Sequence, residues 1–326
     1  MKNKKILVTG GGGFIPSHVV RRLVKRGHDV SVLVKYNSLI DNIRLVDVWD
    51  NINVIEADLK NLDALQQINS LKPEIIIHMA AYNHVGDSFI NANEALISNG
   101  VGTANLLNSY EDYELFLYTS TSEIYGYQTS VPFVETMNPA PISPYSIGKY
   151  TGELYARMLA TEQNKPIAIL RPFNTFGPYQ SPRAIIGELI IKCIKNEIIE
   201  TTIGDQTREF NYVDNIVDAY MLSIEKKENV IGKITNVGGG EEIKINKLVR
   251  LIHELTKSQS ELQIGVLDYR PTEIWRMYTD AVFAKEYLDW SPKIKFTDGL
   301  IKTIAWYRNY LEVITKDSAL FNLSTF

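Results

Sequence analysis

The stretch that most constrains the fold is Ile6-Leu-Val8 running into Thr9-Gly-Gly-Gly-Gly13-Phe-Ile15. The apolar run reads as a buried strand, and the residues from about Ser17 read as a helix. The glycines between them permit positive φ and let a ligand come close to the backbone. Gly10, Gly13 and the amides of Phe14 and Ile15 then lie where a helix dipole and open N–H groups meet, which is where a pyrophosphate binds. A glycine loop can join any strand to any helix, so its weight depends on the pattern of the chain beyond it.

Beyond the loop, strand and helix alternate. The first helix ends at Gly27, and Asp29 to Val34 reads as the second strand. Val54 to Leu59 gives a third, Ile75 to Ala81 a fourth, Leu115 to Leu117 opens a fifth and Ile167 to Leu170 is the sixth. A helix is expected from about Ser88 to Ser109, with a break near Asn99-Gly100. Near-continuous apolar strands suit a parallel sheet covered on both faces. The predicted class is α/β, a doubly wound parallel sheet (Rossmann) with a smaller, mixed α/β C-terminal lobe for substrate. Residues 1–174 form the expected dinucleotide-binding domain and 175–326 mostly the second lobe, with some exchange of chain between them. Gly238 to Gly240 reads as a turn, because no long apolar strand leads into it. His78, inside an apolar run, reads as a satisfied core histidine.

An acid at the end of the second strand commonly holds the adenosine ribose in such folds. Here the tip is Leu33-Val-Lys-Tyr-Asn37-Ser38, with no acid. Asn37 and Ser38 suit a ribose hydroxyl, and Lys35 would tolerate a 2′-phosphate, so the residues leave NAD and NADP both open. The net charge of -4 and pI near 5.8 give no support to nucleic-acid or acidic-membrane partners. Cys193 is the single cysteine, which rules out an intrachain disulfide and fits a cytoplasmic protein. No metal site is expected.

The chemistry concentrates between Leu115 and Lys149. An apolar strand ends in Ser120-Thr-Ser-Glu123, and after Pro139, Pro141 and Pro144 comes Tyr145-Ser-Ile-Gly-Lys149. Tyr145 and Lys149 are four apart and share a helix face. An ammonium beside a phenol favours phenolate, so the pair suits removal of a hydroxyl proton while hydride leaves the same carbon. Farther on, Arg183, Arg208, Arg270 and Arg276 carry guanidinium forks that suit a diphosphate. His84 comes after the fourth strand, where loops meet the carboxyl edge of the sheet.

Together, the glycine loop, Asp58-Leu59, His78-Met-Ala-Ala81, Ser120 to Gly126 and Tyr145 to Lys149 resemble the extended short-chain dehydrogenase/reductase family. Arg171-Pro-Phe-Asn174-Thr-Phe-Gly-Pro178 and Gly204 to Val213 carry the resemblance into the second lobe. It implies a tightly held NAD (or NADP), a nucleoside-diphosphate sugar as substrate, and a homodimer joined through about Val101–Ser109 and Tyr145–Thr161. For the cofactor it implies Asp58, Leu59, Ala80, Ala81, Asn99, Thr119 and Pro172 beside the loop glycines, Tyr145 and Lys149. For the sugar nucleotide it implies His84, Asn174, Arg183, Arg208, Asn211 and Arg270.

The discriminating stretch is Thr121-Ser122-Glu123. Sugar 4-epimerases of the family generally lack an acid at the place of Glu123, whereas 4,6-dehydratases and UDP-glucuronate decarboxylases carry one. The resemblance is greatest to nucleotide-sugar 4,6-dehydratases, which implies Thr121 on the C4 oxygen, Tyr145 as base, Lys149 as its partner, Glu123 as C5 base and Ser122 as an aid to C6 hydroxyl departure. A 4-epimerase, a decarboxylase and, more remotely, a non-catalytic dinucleotide-binding regulator are the alternatives. The sequence departs from the family at Pro16, where the loop's third glycine is expected. Proline is tolerated in a helix's first turn, so cofactor binding is expected to survive.

Overall fold

The computed structural model describes residues 3–35, 42–269 and 273–320. Its main sheet begins with β1 (Lys5–Thr9), β2 (Asp29–Val34), β3 (Ile52–Glu56), β4 (Ile75–His78), β5 (Leu115–Thr119) and β6 (Ile167–Pro172). A seventh strand, Ile234–Val237, completes the parallel order Ile234–Val237, β6, β5, β4, β1, β2, β3. The apolar runs are buried on both sides because alternate residues feed opposite faces. Leu7, Leu33, Ile76 and Phe116 pack with Leu106, Leu107, Ala156 and Leu159 on one face. Ile6, Val8, Val32, Ile77 and Leu117 pack on the other with Val19, Val20 and Leu23 of α1 (Phe14–Lys25).

Several boundaries differ from the sequence expectation. β3 stops at Glu56, so Ala57 to Leu59 run on past the sheet edge, and Met79 to Ala81 do the same after β4. The expected helix from Ser88 to Ser109 is four pieces: Val85–Ile90, Ala92–Leu96, a π-helical turn at Ile97–Val101 and Gly102–Ser109. The chain leaves helical conformation at Asn91 (φ -117°, ψ 55°), whereas at Asn99-Gly100, the expected break, it stays helical and widens into the π turn. The strand Ile234–Val237 escaped the sequence pattern because it is four residues long and half polar, yet Thr235 and Asn236 are fully buried in the sheet.

The second lobe holds small sheets. Thr207–Glu209 lies between Glu242–Lys244 and Arg276–Met277, Thr175–Phe176 pairs with Asn211–Tyr212, and Ile199–Thr201 pairs with Leu262–Ile264. The helices Ile185–Lys195, Val213–Glu225, Ile245–Thr256 and Phe296–Leu320 cover them. Among the described residues no helix is long and apolar enough to cross a membrane.

Candidate active site

The carboxyl ends of the main strands open into a cavity of about 660 Å³ that reaches from the glycine loop to the first residues of the second lobe. Gly10 has φ +68°, and a Cβ there would lie 2.7 Å from Ala80 Cα, so only glycine fits this close approach. Gly13 is the N-cap of α1 and supplies no side chain, which leaves the first-turn amides of Phe14 and Ile15 open to an anion. Pro16 is the third helical residue, a position whose N–H has no intrahelical acceptor, so its ring costs the helix nothing.

The same cavity is walled by Asp58, Leu59, Ala80, Ala81, Thr119 and Pro172. The rim at Ala80 is held from behind by a chain of hydrogen bonds. Thr9 Oγ1 accepts from the amides of Met79 (3.2 Å) and Ala80 (3.1 Å) and meets His78 Nδ1 at 2.7 Å. His78 Nε2 reaches Thr103 Oγ1 at 2.9 Å, and Thr103 donates to the Asn99 carbonyl. That assigns the proton to Nε2, and burial holds His78 well below its usual pKa and therefore neutral. Asn99 lies behind the wall, where its amide brackets the Tyr82 backbone at 2.7 and 3.1 Å. Asn37 and Ser38 lie outside the described residues. Lys35, at the tip of β2, faces Asp58 (3.4 Å) and Glu94 (3.3 Å).

Thr121, Ser122, Glu123, Tyr145 and Lys149 all line the cavity. Thr121 caps the short 3-10 turn Ser122–Tyr125 by accepting from the Glu123 amide at 3.2 Å. Tyr145 and Lys149 lie in the first turns of the helix Pro144–Glu162, started by a capping box between Ser143 and Ser146 and by Pro144 at its first position. Burial pushes the Tyr145 phenol up to about 12; a hydrogen bond with Thr121 opposes this, and the Glu123 charge adds to it. Burial pulls Lys149 down to about 7 against the favourable field of Glu153. Lys149 Nζ sits 4.4 Å from the Tyr118 ring centroid. The hydrogen bond with Thr121 thus favours the phenolate of Tyr145. Ser122 Oγ and Asn174 Nδ2 both turn to the Met277 sulfur, at 3.6 and 4.0 Å, a weak acceptor that leaves both groups able to serve a ligand.

The remaining expected residues are placed elsewhere. His84 accepts from the Asp87 amide at 3.0 Å as the cap of Val85–Ile90. Arg183 is exposed and bidentate to Asp87 at 2.9 and 3.1 Å. Arg208 pairs with Glu273 at 2.6 Å, and Asn211 donates to the buried Glu209 at 2.8 Å. None of these four lines the cavity wall, and Arg270 lies outside the described residues. Sequence reasoning passed over Arg44, which donates to the carbonyls of Gly12 (3.2 Å) and Tyr179 (2.9 Å) and so ties the glycine loop to the chain entering the second lobe. It also passed over Glu153, four residues beyond Lys149 on the same face, a spacing that was there to be read.

Residues 7–303 match the model of the GDP-mannose 4,6 dehydratase family. The chain is 31% identical to a dTDP-D-glucose 4,6-dehydratase of Bos taurus, over 94% of this chain and 89% of that protein. It is 32% identical to a putative UDP-glucose 4-epimerase of Methanocaldococcus jannaschii, over 93% and 98%. Among solved structures, the UDP-glucuronic acid 4-epimerase of Bacillus cereus, in complex with UDP-glucuronic acid and NAD, superposes with a TM-score of 0.86 at 27% identity, covering 94% of this chain and 99% of that one. Matches of this extent, together with a glycine loop, a Tyr145–Lys149 pair and a Thr121 turn gathered round one cavity, place the chain in the NDP-sugar epimerase/dehydratase family of extended short-chain dehydrogenases/reductases.

Proposed function

We propose that the chain is a cytoplasmic, NAD-dependent nucleotide-sugar 4,6-dehydratase that makes a 4-keto-6-deoxy sugar nucleotide. The observation that carries this reading is Glu123, a carboxylate in the cavity wall two residues after Thr121 and close enough to raise the Tyr145 pKa. The loop glycines, the open amides of Phe14 and Ile15, and Lys149 fit a nicotinamide dinucleotide. Asp58 and Glu94 already compensate the Lys35 charge, which favours NAD over a 2′-phosphorylated form. When bound, the nicotinamide supplies a hydride acceptor that later returns the hydride. Thr121 holds the C4 oxygen, and Tyr145 takes the C4 hydroxyl proton as the carbonyl forms. The C4 carbonyl acidifies C5, so Glu123 suffices to remove that proton. The C6 hydroxyl departs as water, with the proton drawn from Glu123 and Ser122 placed to hydrogen-bond the leaving oxygen. The hydride then returns to C6 while C5 takes up a proton, which balances the one Tyr145 removed from the C4 hydroxyl. Asn174, whose amide turns to the weakly accepting Met277 sulfur, is positioned for the sugar nucleotide.

The 4-epimerases among the relatives make epimerisation at C4 the second reading. One experiment separates them: a panel of UDP-, GDP-, dTDP- and CDP-linked hexoses, N-acetylhexosamines and UDP-glucuronate, with products weighed by mass spectrometry. Loss of one water from one sugar is the expected result. An unchanged mass with a new stereoisomer would establish the epimerase, and loss of carbon dioxide a decarboxylase. In the same assay Glu123→Gln should lower turnover by about 10²- to 10⁴-fold, as loss of a general base does, whereas an epimerase would tolerate it.

A further inference from the structure

Behind the cavity wall lies an ion pair that none of the steps above uses. Glu153 and Arg171 have side chains 0% and 1% exposed. Arg171 Nη2 meets Glu153 Oε1 at 2.5 Å, and its Nε meets Oε2 at 3.1 Å. Each partner reaches one end of the turn that carries Thr121, Ser122 and Glu123. At the near end, Ser120 Oγ donates to Glu153 Oε2 at 2.6 Å. At the far end, Arg171 Nη1 donates to the Tyr125 hydroxyl at 2.7 Å, and Tyr125 Oη donates to Asn236 Oδ1 at 2.7 Å. Asn236 is in turn held by Phe133 O and Thr279 Oγ1, both at 3.2 Å. Tyr145, Lys149 and Glu153 recur every four residues on one helix face, while Arg171 belongs to β6.

We infer that the Glu153–Arg171 pair is a positioning strut, which fixes the Thr121–Glu123 turn at both ends against the helix bearing Tyr145 and Lys149. A buried ion pair is a poor device for stability, since its desolvation offsets most of the attraction and an apolar pair of similar volume does as well. What it provides is direction: fixed forks that accept and donate at set points. Here those points are the two ends of the turn. The distance between Tyr145 and the hydroxyl and carboxylate of the turn is thereby set by side chains that touch neither substrate nor cofactor. The strut rests on the proposed roles of Thr121, Glu123 and Tyr145.

The test uses Ser120→Ala and Tyr125→Phe, which each remove one hydroxyl and leave the ion pair whole, so that no buried charge is stranded. Two readings are taken on the full-length protein. One is hydrogen–deuterium exchange over residues 119–126. The other is the single-turnover appearance of reduced nicotinamide with the sugar nucleotide found by the mass panel. Amide exchange in the turn should quicken about tenfold or more, reporting local opening. The rate per bound cofactor should fall about 10- to 100-fold, the scale of a misplacement near 1 Å, with KM within about twofold. Ser120→Thr, which restores the hydroxyl, should recover most of the rate. Exchange and rate both within about twofold of the unsubstituted protein in either folded variant would overturn the strut. Should one variant fail to fold, the other reads the opposite end of the same pair. An unsubstituted protein that reduces no nicotinamide with any sugar would defeat the proposed function instead, and the exchange reading would still decide the strut.

Discussion

Tyr145 and Lys149 show how one environment acts oppositely on an acid and a base, because burial disfavours whichever form is charged. The phenol is held protonated, up to about 12, and the amine is pulled from its ordinary 10.5 to about 7. The base role proposed for Tyr145 needs the ammonium form of Lys149, and Glu153 is the neighbour that favours it. The amine's shift has a consequence for stability. Between pH 7 and 10.5 the unfolded chain keeps a proton that folded Lys149 has released, so stability rises with pH through that window on this residue's account. Tyr145 acts only above its ordinary 10, where the folded phenol keeps a proton that the unfolded chain loses, and there stability falls. Thermal melts of the protein and of Lys149→Met between pH 7 and 10 isolate the amine. The substitution should flatten the rise in melting temperature with pH. A slope unchanged by Lys149→Met would mean that the amine is charged in the folded protein at pH 8 and above.

At the level of elements, the helix that carries Tyr145 and Lys149 is brought to its place by glycines that the sequence displayed but did not explain. Gly148 and Gly152 lie inside Pro144–Glu162, where glycine costs stability relative to alanine. Built Cβ atoms would stand 2.8 Å from Ala95 O at Gly148, and 2.7 Å from Tyr118 Oη and 2.9 Å from Asn99 O at Gly152. The π-helical turn Ile97–Val101 and β5 therefore approach the helix backbone directly, and Tyr118 Oη donates to Lys149 O at 2.8 Å across this contact. Gly152→Ala should accordingly destabilise by about 1–3 kcal/mol through overpacking, against the stabilisation of about 0.4–1 kcal/mol that Gly→Ala gives at an unhindered helical site. Denaturant unfolding measures it, and a stabilised variant would mean the two segments can part at no cost. The sheet, the glycine loop and the Thr121–Lys149 constellation were legible because each arises from local pattern: continuous apolar strands, a glycine run at a strand end, an i, i+4 pair. Ile234–Val237 was not, since its place beside β6 is fixed by tertiary pairing and its own residues are mixed. The side chains of Arg183, Arg208 and Asn211 were chosen by chemistry, and chemistry does not reveal that Asp87, Glu273 and Glu209 already occupy them.

Over the whole molecule, the same helix turns its other face outward. Ile147, Leu154 and Met158 form an exposed apolar stripe along Pro144–Glu162, and Phe89, Ile90, Leu96, Ile97 and Val101 are exposed on the segments that pack against it. Exposed apolar side chains gathered in this way mark interfaces, and a patch that can meet its own copy across a two-fold axis makes a closed dimer. A homodimer built on this surface would use the expected helix Tyr145–Thr161, but on the other side Phe89 to Val101 rather than the expected Val101–Ser109. Leu154 and Met158 are 46% and 39% exposed, so charges placed there would meet water in a monomer and each other in a dimer. The double substitution Leu154→Glu/Met158→Glu should leave the fold intact by circular dichroism and convert a dimer to a monomer in sedimentation velocity. Because this helix also carries Tyr145 and Lys149, a monomer produced in this way should lose turnover as well, through loosening of the helix. A wild-type chain that sediments as a monomer at micromolar concentration would reject the homodimer, and a doubly charged variant that stays dimeric would place the interface elsewhere.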